Sequence, residues 1–134
     1  MAEFGGGRRG VTMMSALMGW GLDMLGQSAP IADTDTTLYT CPAGAKAIIP
    51  LIVICNTSAG IVNFRLHHSR TGAAAAVGNA LIYGKALAAN DTFTFPPDIP
   101  AFSAINLVAT GKIIVRSVAT AAITWTAYGY EIRD

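Results

Sequence analysis

The chain has 134 residues, of which 52% are hydrophobic and only 13% charged, with nine Lys+Arg against eight Asp+Glu and a net charge of +1. That length fits one domain of ordinary size, and roughly 25% charged residues would be usual. The composition excludes a basic nucleic-acid binder, which needs a concentrated positive patch, and an acidic disordered chain. A domain of this size buries enough surface to fold without a disulfide or metal. The shortage of charge predicts that much of its surface lies against other protein.

The chain divides near residue 30, into a segment over 1–32 and a domain over 33–134. Gly5-Gly6-Gly7 opens the first segment as a flexible start. Arg8 and Arg9 ahead of the apolar stretch 11–26 resemble an export signal. Asp23 inside that stretch and Gly19, Gly21 and Gly26 argue against one. From Thr12, a candidate N-cap, the pattern turns weakly helical. Met13, Leu17, Trp20 and Met24 share one face, and Met14, Met18, Leu22 and Leu25 make an adjacent stripe. A helix apolar nearly all round must be covered. Either it packs on its own domain, or it is a Met-rich arm that docks on a neighbouring subunit. These eight residues are the expected partner contacts of the arm.

From Thr36 the character is β. Short β-branched or aromatic runs separated by turn residues predict strands over 36–41, 45–55, 61–69, 80–87, 91–95, 104–109, 112–118 and 121–132. Pro42-Ala43-Gly44 is a turn. Residues 73–76 form a small, featureless surface loop. Strands at this spacing predict a sandwich or jelly roll, not a βαβ fold. Alternation in 61–68 puts Val62, Phe64 and Leu66 on a core face and Asn63, Arg65 and His67 on a wet face. In the last strand Ile123, Trp125 and Ala127 point inward. Thr124, Thr126, Tyr128 and Tyr130 line the opposite face, which suits a subunit contact. The run 48–55 does not alternate, so it is expected to be covered on both sides. Pro50 belongs at a bulge or an edge, because it cannot donate to a ladder. The longest apolar run, 47–55, is far shorter than the about 20 residues of a membrane-spanning helix.

Chemistry-bearing residues are few. Cys41 and Cys55 have neither the number nor the spacing of a zinc site and read as reduced structural thiols. Asp33 and Asp35 lack the further spaced acids of a calcium loop and read as turn-capping carboxylates. His67 and His68 are adjacent on a strand and point to opposite faces, with His67 expected exposed and His68 near the rim of the core. No nucleophile elbow, zinc-protease or P-loop motif occurs. Asn56-Thr57-Ser58 and Asn90-Asp91-Thr92 are formal glycosylation sequons. No catalytic residue, cofactor or metal is expected.

The stretch DTTLYTCPAGAKAIIPLIVICNTSAGIVNFRLHHS resembles the opening of small β-sandwich virion proteins of tailed bacteriophages. A Leu-Tyr-Thr strand leads into a Pro-Ala-Gly turn, then a long apolar strand ends in a Cys-Asn turn. The segments LAANDTFTF and INLVATGKIIVRSVATAAITWTAYGYEI are also similar, including the finish at 129–132. Lys112 departs from the Asp expected after the Thr-Gly turn, and residues 1–32 have no counterpart.

The resemblance implies an accessory structural component of a virus particle. The expectation is an all-β fold: a single antiparallel β-sandwich, jelly-roll-like with about eight strands, behind a partly helical or extended N-terminal arm. The expected function is a capsid decoration or cement protein, not an enzyme. Its partners would be copies of itself, with a trimer as the expected order, and the major capsid protein or other virion proteins. No nucleic acid or membrane is expected. Its place would be the virion, assembled in the host cytoplasm. A tail, connector or baseplate component is the first alternative. The second is a carbohydrate- or receptor-binding module stacking ligands on Tyr39, Tyr83, Trp125, Tyr128 or Tyr130.

Overall fold

Two antiparallel sheets make up the computed structural model, which describes residues 23–97 and 104–133. In chain order the strands are β1 (Asp23–Ser28), β2 (Thr36–Thr40), β3 (Ala45–Asn56), β4 (Val62–Ser69), β5 (Ala80–Leu87), β6 (Thr92–Phe95), β7 (Ile105–Leu107), β8 (Lys112–Ser117) and β9 (Ile123–Arg133). A one-turn 3-10 helix, Val77–Asn79, precedes β5. The larger sheet runs β1-β9-β3-β6, with β7 also on β3, and the smaller runs β2-β8-β4-β5. β6 pairs with Ile52–Cys55 and β7 with Ala47–Ile49, so the two lie end to end along one side of β3. Counted as one interrupted strand, they complete an eight-strand order. All chain connections then cross between sheets except β4 to β5, which is the jelly-roll arrangement of two Greek keys.

The interior is built from period-two alternation. Ile49, Ile52 and Ile54 of β3, Phe64 and Leu66 of β4, Ile113 and Val115 of β8, and Ile123, Trp125 and Ala127 of β9 are buried in one cluster. Trp125 is 0% exposed and meets Phe64 edge-on, with centroids 5.4 Å apart at 79°. Edge-to-face contact is the favoured aromatic geometry. Its indole N–H has no hydrogen-bond partner among the described residues.

Pro50 sits at a break in the β3–β9 register between Ile48 and Leu51. On its other side Pro50 falls between the stretches of β3 that pair with β6 and β7 and has no ladder partner among the described residues, a position that tolerates a residue with no amide hydrogen. The bulge brings the Ile48 carbonyl against β9 at Gly129, where an added Cβ would stand 2.1 Å from that oxygen. Only glycine fits so close an approach. Gly26 plays the same part on β1, facing the Leu38 carbonyl of β2 at the margin where the two sheets meet.

β1 corrects the sequence reading. Met24 and Leu25, expected on a partly helical or extended arm, lie in a strand paired with β9 from Asp23↔Gly129 to Ser28↔Trp125. The sandwich therefore takes in residues from Asp23 onward, ahead of the boundary expected at 32. Leu25 packs on the core and Met24 is 55% exposed. The other expected arm contacts, Met13, Met14, Leu17, Met18, Trp20 and Leu22, lie outside the described residues.

Substituting Gly129→Ala is expected to lower unfolding free energy by about 1–3 kcal/mol, the usual scale of overpacking. Urea denaturation checks this; an unchanged midpoint would show that β3 can give way at its bulge.

Candidate functional site

Residues paired across antiparallel strands share a face, so the register shows what each sheet presents outward. On the larger sheet, β9 presents Thr124, Thr126, Tyr128, Tyr130 and Ile132, opposite Cys55, Val53, Leu51, Ile48 and Lys46 of β3. β1 adds Met24 beside Tyr128 and Gln27 beside Thr126. Thr92 and Thr94 of β6 and Asn106 of β7 complete the far side. The four β9 residues expected on one face are thus brought together there. Thr126 and Tyr130 are buried among their neighbours, while Thr124 and Tyr128 are half-buried. Gln27 Nε2 donates to Thr126 Oγ1 at 3.1 Å. Among these outward residues Lys46 carries the only charge. An antiparallel sheet with a solvated face ordinarily wears polar residues there. Here the outward positions of β3 are Ile48, Leu51, Val53 and Cys55, and no described helix or strand lies across them.

The smaller sheet presents a different outer face. Arg65 pairs with Arg116 and Tyr83, and its guanidinium lies 4.1 Å from the Tyr83 ring centroid. Arg116 also reaches Asp33 at 3.6 Å and Asp35 at 3.4 Å. The two aspartates are therefore held by a cation, in surface pairs of small energetic weight. The segment before β5 folds over this sheet. His67, expected exposed, is 2% exposed beneath it. Its Nδ1 lies 2.9 Å from Asn79 Oδ1 and 3.1 Å from the Ala76 carbonyl. His67 faces out of the core, as the alternation predicts, and the chain supplies its own cover.

His68 points the other way. It lines a cleft with Arg70, Leu81, Phe95, Asn106 and Val108. Its Nε2 is buried without a partner among the described residues. Burial, and to a lesser degree the Arg70 charge, hold its pKa below the usual histidine value, against a hydrogen bond with the Asn106 backbone. The two histidines share no ligand geometry, and no group of three His, Cys, Asp or Glu side chains converges among the described residues. Cys41 and Cys55 are both free thiols. Cys41 is buried, and burial pushes its thiol pKa up, the signature of an inert cysteine. Cys55 is half-buried on the apolar outer face.

Two polar knots hold the sandwich. Tyr39 of β2 donates its hydroxyl to Glu131 of β9, tying one sheet to the other, and Arg133 Nη2 meets the second Glu131 oxygen at 3.0 Å. Asn56, at the end of β3, is fully buried. Its Nδ2 donates to the carbonyls of Gly60 (2.8 Å), Leu87 (2.9 Å) and Ala88 (3.1 Å). Its Oδ1 accepts from the Ser58 amide and hydroxyl. The β3–β4 turn is thereby locked to the end of β5. The sequon at Asn56 is closed in the folded state, since the nitrogen a glycan would take is already spent. Among the aromatic platforms, Trp125, Tyr39 and Tyr130 are buried, which leaves Tyr83, 53% exposed, and the half-buried Tyr128.

Neither a protein-family model, nor a curated protein, nor a solved structure matches this chain. No helix among the described residues is long and apolar enough to cross a membrane.

Asn56→Ala is expected to cost about 3 kcal/mol in urea denaturation, because buried carbonyls are left unpaired. Asn56→Asp should fare no better, since a carboxylate oxygen would face those same carbonyls; a loss below about 1 kcal/mol in either variant would contradict the knot's role. The Tyr39 phenol has its pKa raised by burial first, then by the hydrogen bond and negative charge of Glu131. A pKa higher in the folded than in the unfolded state gives stability that is full below the unfolded value of about 10 and is lost as pH rises beyond it. Tyr39→Phe should therefore lose about 1.5 kcal/mol near neutrality and show a shallower decline above pH 10. Parallel alkaline unfolding curves would contradict this.

Proposed function

We propose that the chain is a non-enzymatic structural subunit of a virus particle, a capsid decoration or cement protein that works by adhesion among copies of itself and to the major capsid protein. The observation that carries this reading is the outer face of the larger sheet. The half-buried Ile48, Leu51, Val53 and Tyr128 and the exposed Met24 face outward there, with one lysine among them. Contiguous apolar surface of this kind marks a protein contact. The overall composition agrees, at 13% charged residues and a net charge of +1. A chain so close to neutral has little electrostatic repulsion to keep copies apart.

The jelly-roll order supports the reading at the level of fold, since such double sheets recur in viral capsid and lectin domains. Fold by itself assigns no task. The resemblance of the segments around Tyr39, Pro42, Asn56 and Glu131 to phage virion proteins narrows the class to an accessory component. Those residues have structural tasks here: Tyr39 and Glu131 join the sheets, and Asn56 locks two turns. A shell subunit gains from many weak contacts repeated by symmetry, because each added contact acts at high effective concentration. The place of action would be the virion, with assembly in the host cytoplasm.

Peptide mass spectrometry and cryo-imaging of purified particles of the virus encoding this chain test the reading. The expected result is a fixed number of copies per capsomer, at symmetric positions on the head. Absence from particles, or presence only in the tail, would overturn it.

A further inference from the structure

We infer that the outer face of the larger sheet packs against the same face of a second copy, in a two-fold, sheet-to-sheet pair. This deepens the adhesive role proposed above and rests on it.

The two outer faces of the sandwich are unlike. The chain covers part of the smaller sheet with its own segment before β5, which buries His67, and leaves Arg65, Arg116, Lys112 and the exposed Tyr83 on the rest. The larger sheet carries Ile48, Leu51, Val53 and Cys55 along its central strand, flanked by Tyr128 and Met24, with no described strand or helix across it. Lys46 lies at the end of that face, opposite Ile132.

A second copy suits the face on three grounds. The first is charge. With one peripheral lysine, two such faces meet without burying an ion pair or opposing like charges at the centre. The second is chemistry. Hydroxyls of Thr92, Thr94, Thr124 and Tyr128 alternate with the apolar side chains, so a self-complementary contact has both packing and hydrogen-bonding groups to offer. The third is area. From strand spacing and rise, the face measures about 600 Å² per copy, or about 1,200 Å² for the pair. That reaches the lower limit of a standard stable interface. Sheets packed face to face are the same arrangement that builds the sandwich interior. Because the contact is isologous, it closes at two copies. The proposed pair differs from the trimer expected from sequence.

The chain carries its own probe. Cys55 is on this face and Cys41, the other cysteine, is buried. The experiment combines sedimentation equilibrium with maleimide labelling of Cys55 across a dilution series of the full chain. The expected result is a monomer–dimer equilibrium, with Cys55 labelling slowed at least tenfold as dimer forms. Val53→Arg should shift the dissociation constant upward by at least a hundredfold, while Thr37→Arg, exposed on the smaller sheet, leaves it unchanged. Circular dichroism and the melting temperature establish that each variant folds. Should Val53→Arg fail to fold, Met24→Glu, at an exposed position, is read the same way.

A folded Val53→Arg that still pairs would overturn the proposal, as would a trimer, or pairing with labelling of Cys55 unaffected. A monomer whose Cys55 is equally protected at every concentration would also overturn it, and would make residues 1–22 of the same chain the cover. Presence on virus particles as a solution monomer would leave the structural role standing and remove the pair. A pair that is absent from particles would do the reverse.

Discussion

The central strand of the larger sheet is apolar on both faces. Ile49, Ile52 and Ile54 point into the sandwich, and Ile48, Leu51 and Val53 point out of it. Burying the inner set against Phe64, Trp125 and Ile113 drives the two sheets together. At about 25 cal/mol per Å² of apolar surface, each side chain contributes on the kcal/mol scale. The outer set belongs to the same strand and cannot be turned inward, because side chains alternate strictly across a sheet. A sequence that needs β3 as its core strand and still writes the outer positions in Ile, Leu and Val has fixed a surface that favours cover. That constraint links the fold to the proposed work of adhesion.

The surrounding structure serves this strand. The bulge at Pro50 shifts the alternation so that Ile49 and Ile52 both face the core. Gly129 gives the bulged Ile48 carbonyl room on the β9 side. Asn56 closes the end of β3 and fixes the departure of β4. Tyr39 and Glu131 pin the sheets where the strand begins. Tyr39, Glu131 and Asn56 are spent on holding loops and sheets. Opposite, the smaller sheet carries charge, the chain's own loop and the exposed Tyr83, whereas the outward side chains along β3 of the larger sheet are apolar and half-buried.

Much of this was legible in the sequence. Period-two alternation located β4 and β9, and the non-alternating run at 48–55 announced a strand apolar on both faces. Pro50 was assignable to a bulge because it lacks an amide hydrogen. The misreadings have physical causes. Met24 and Leu25 close two stripes at helical spacing, but from Asp23 the chain pairs with β9, and at these two positions ladder pairing with core contact of Leu25 outweighs that spacing. His67 was correctly turned away from the core, yet a featureless alanine run gave no sign that it would fold back and bury the ring. Asn56 passed as a turn residue and a sequon. The available signal was an asparagine followed two residues later by serine at the end of an apolar strand, the pattern of an Asx turn. The Tyr39–Glu131 contact joins positions 92 apart in sequence and has no local signature.

The central claim is that the outward side chains of β3 are covered when the protein is assembled. Solvent paramagnetic relaxation of methyl groups measures this directly. In concentrated, assembled protein the methyls of Ile48, Leu51 and Val53 should be as shielded as those of the core residues Ile52 and Ile54, and should become accessible on dilution. Methyls on this face that stay as accessible as those of exposed Ile61 and Val118 at every concentration would contradict the account.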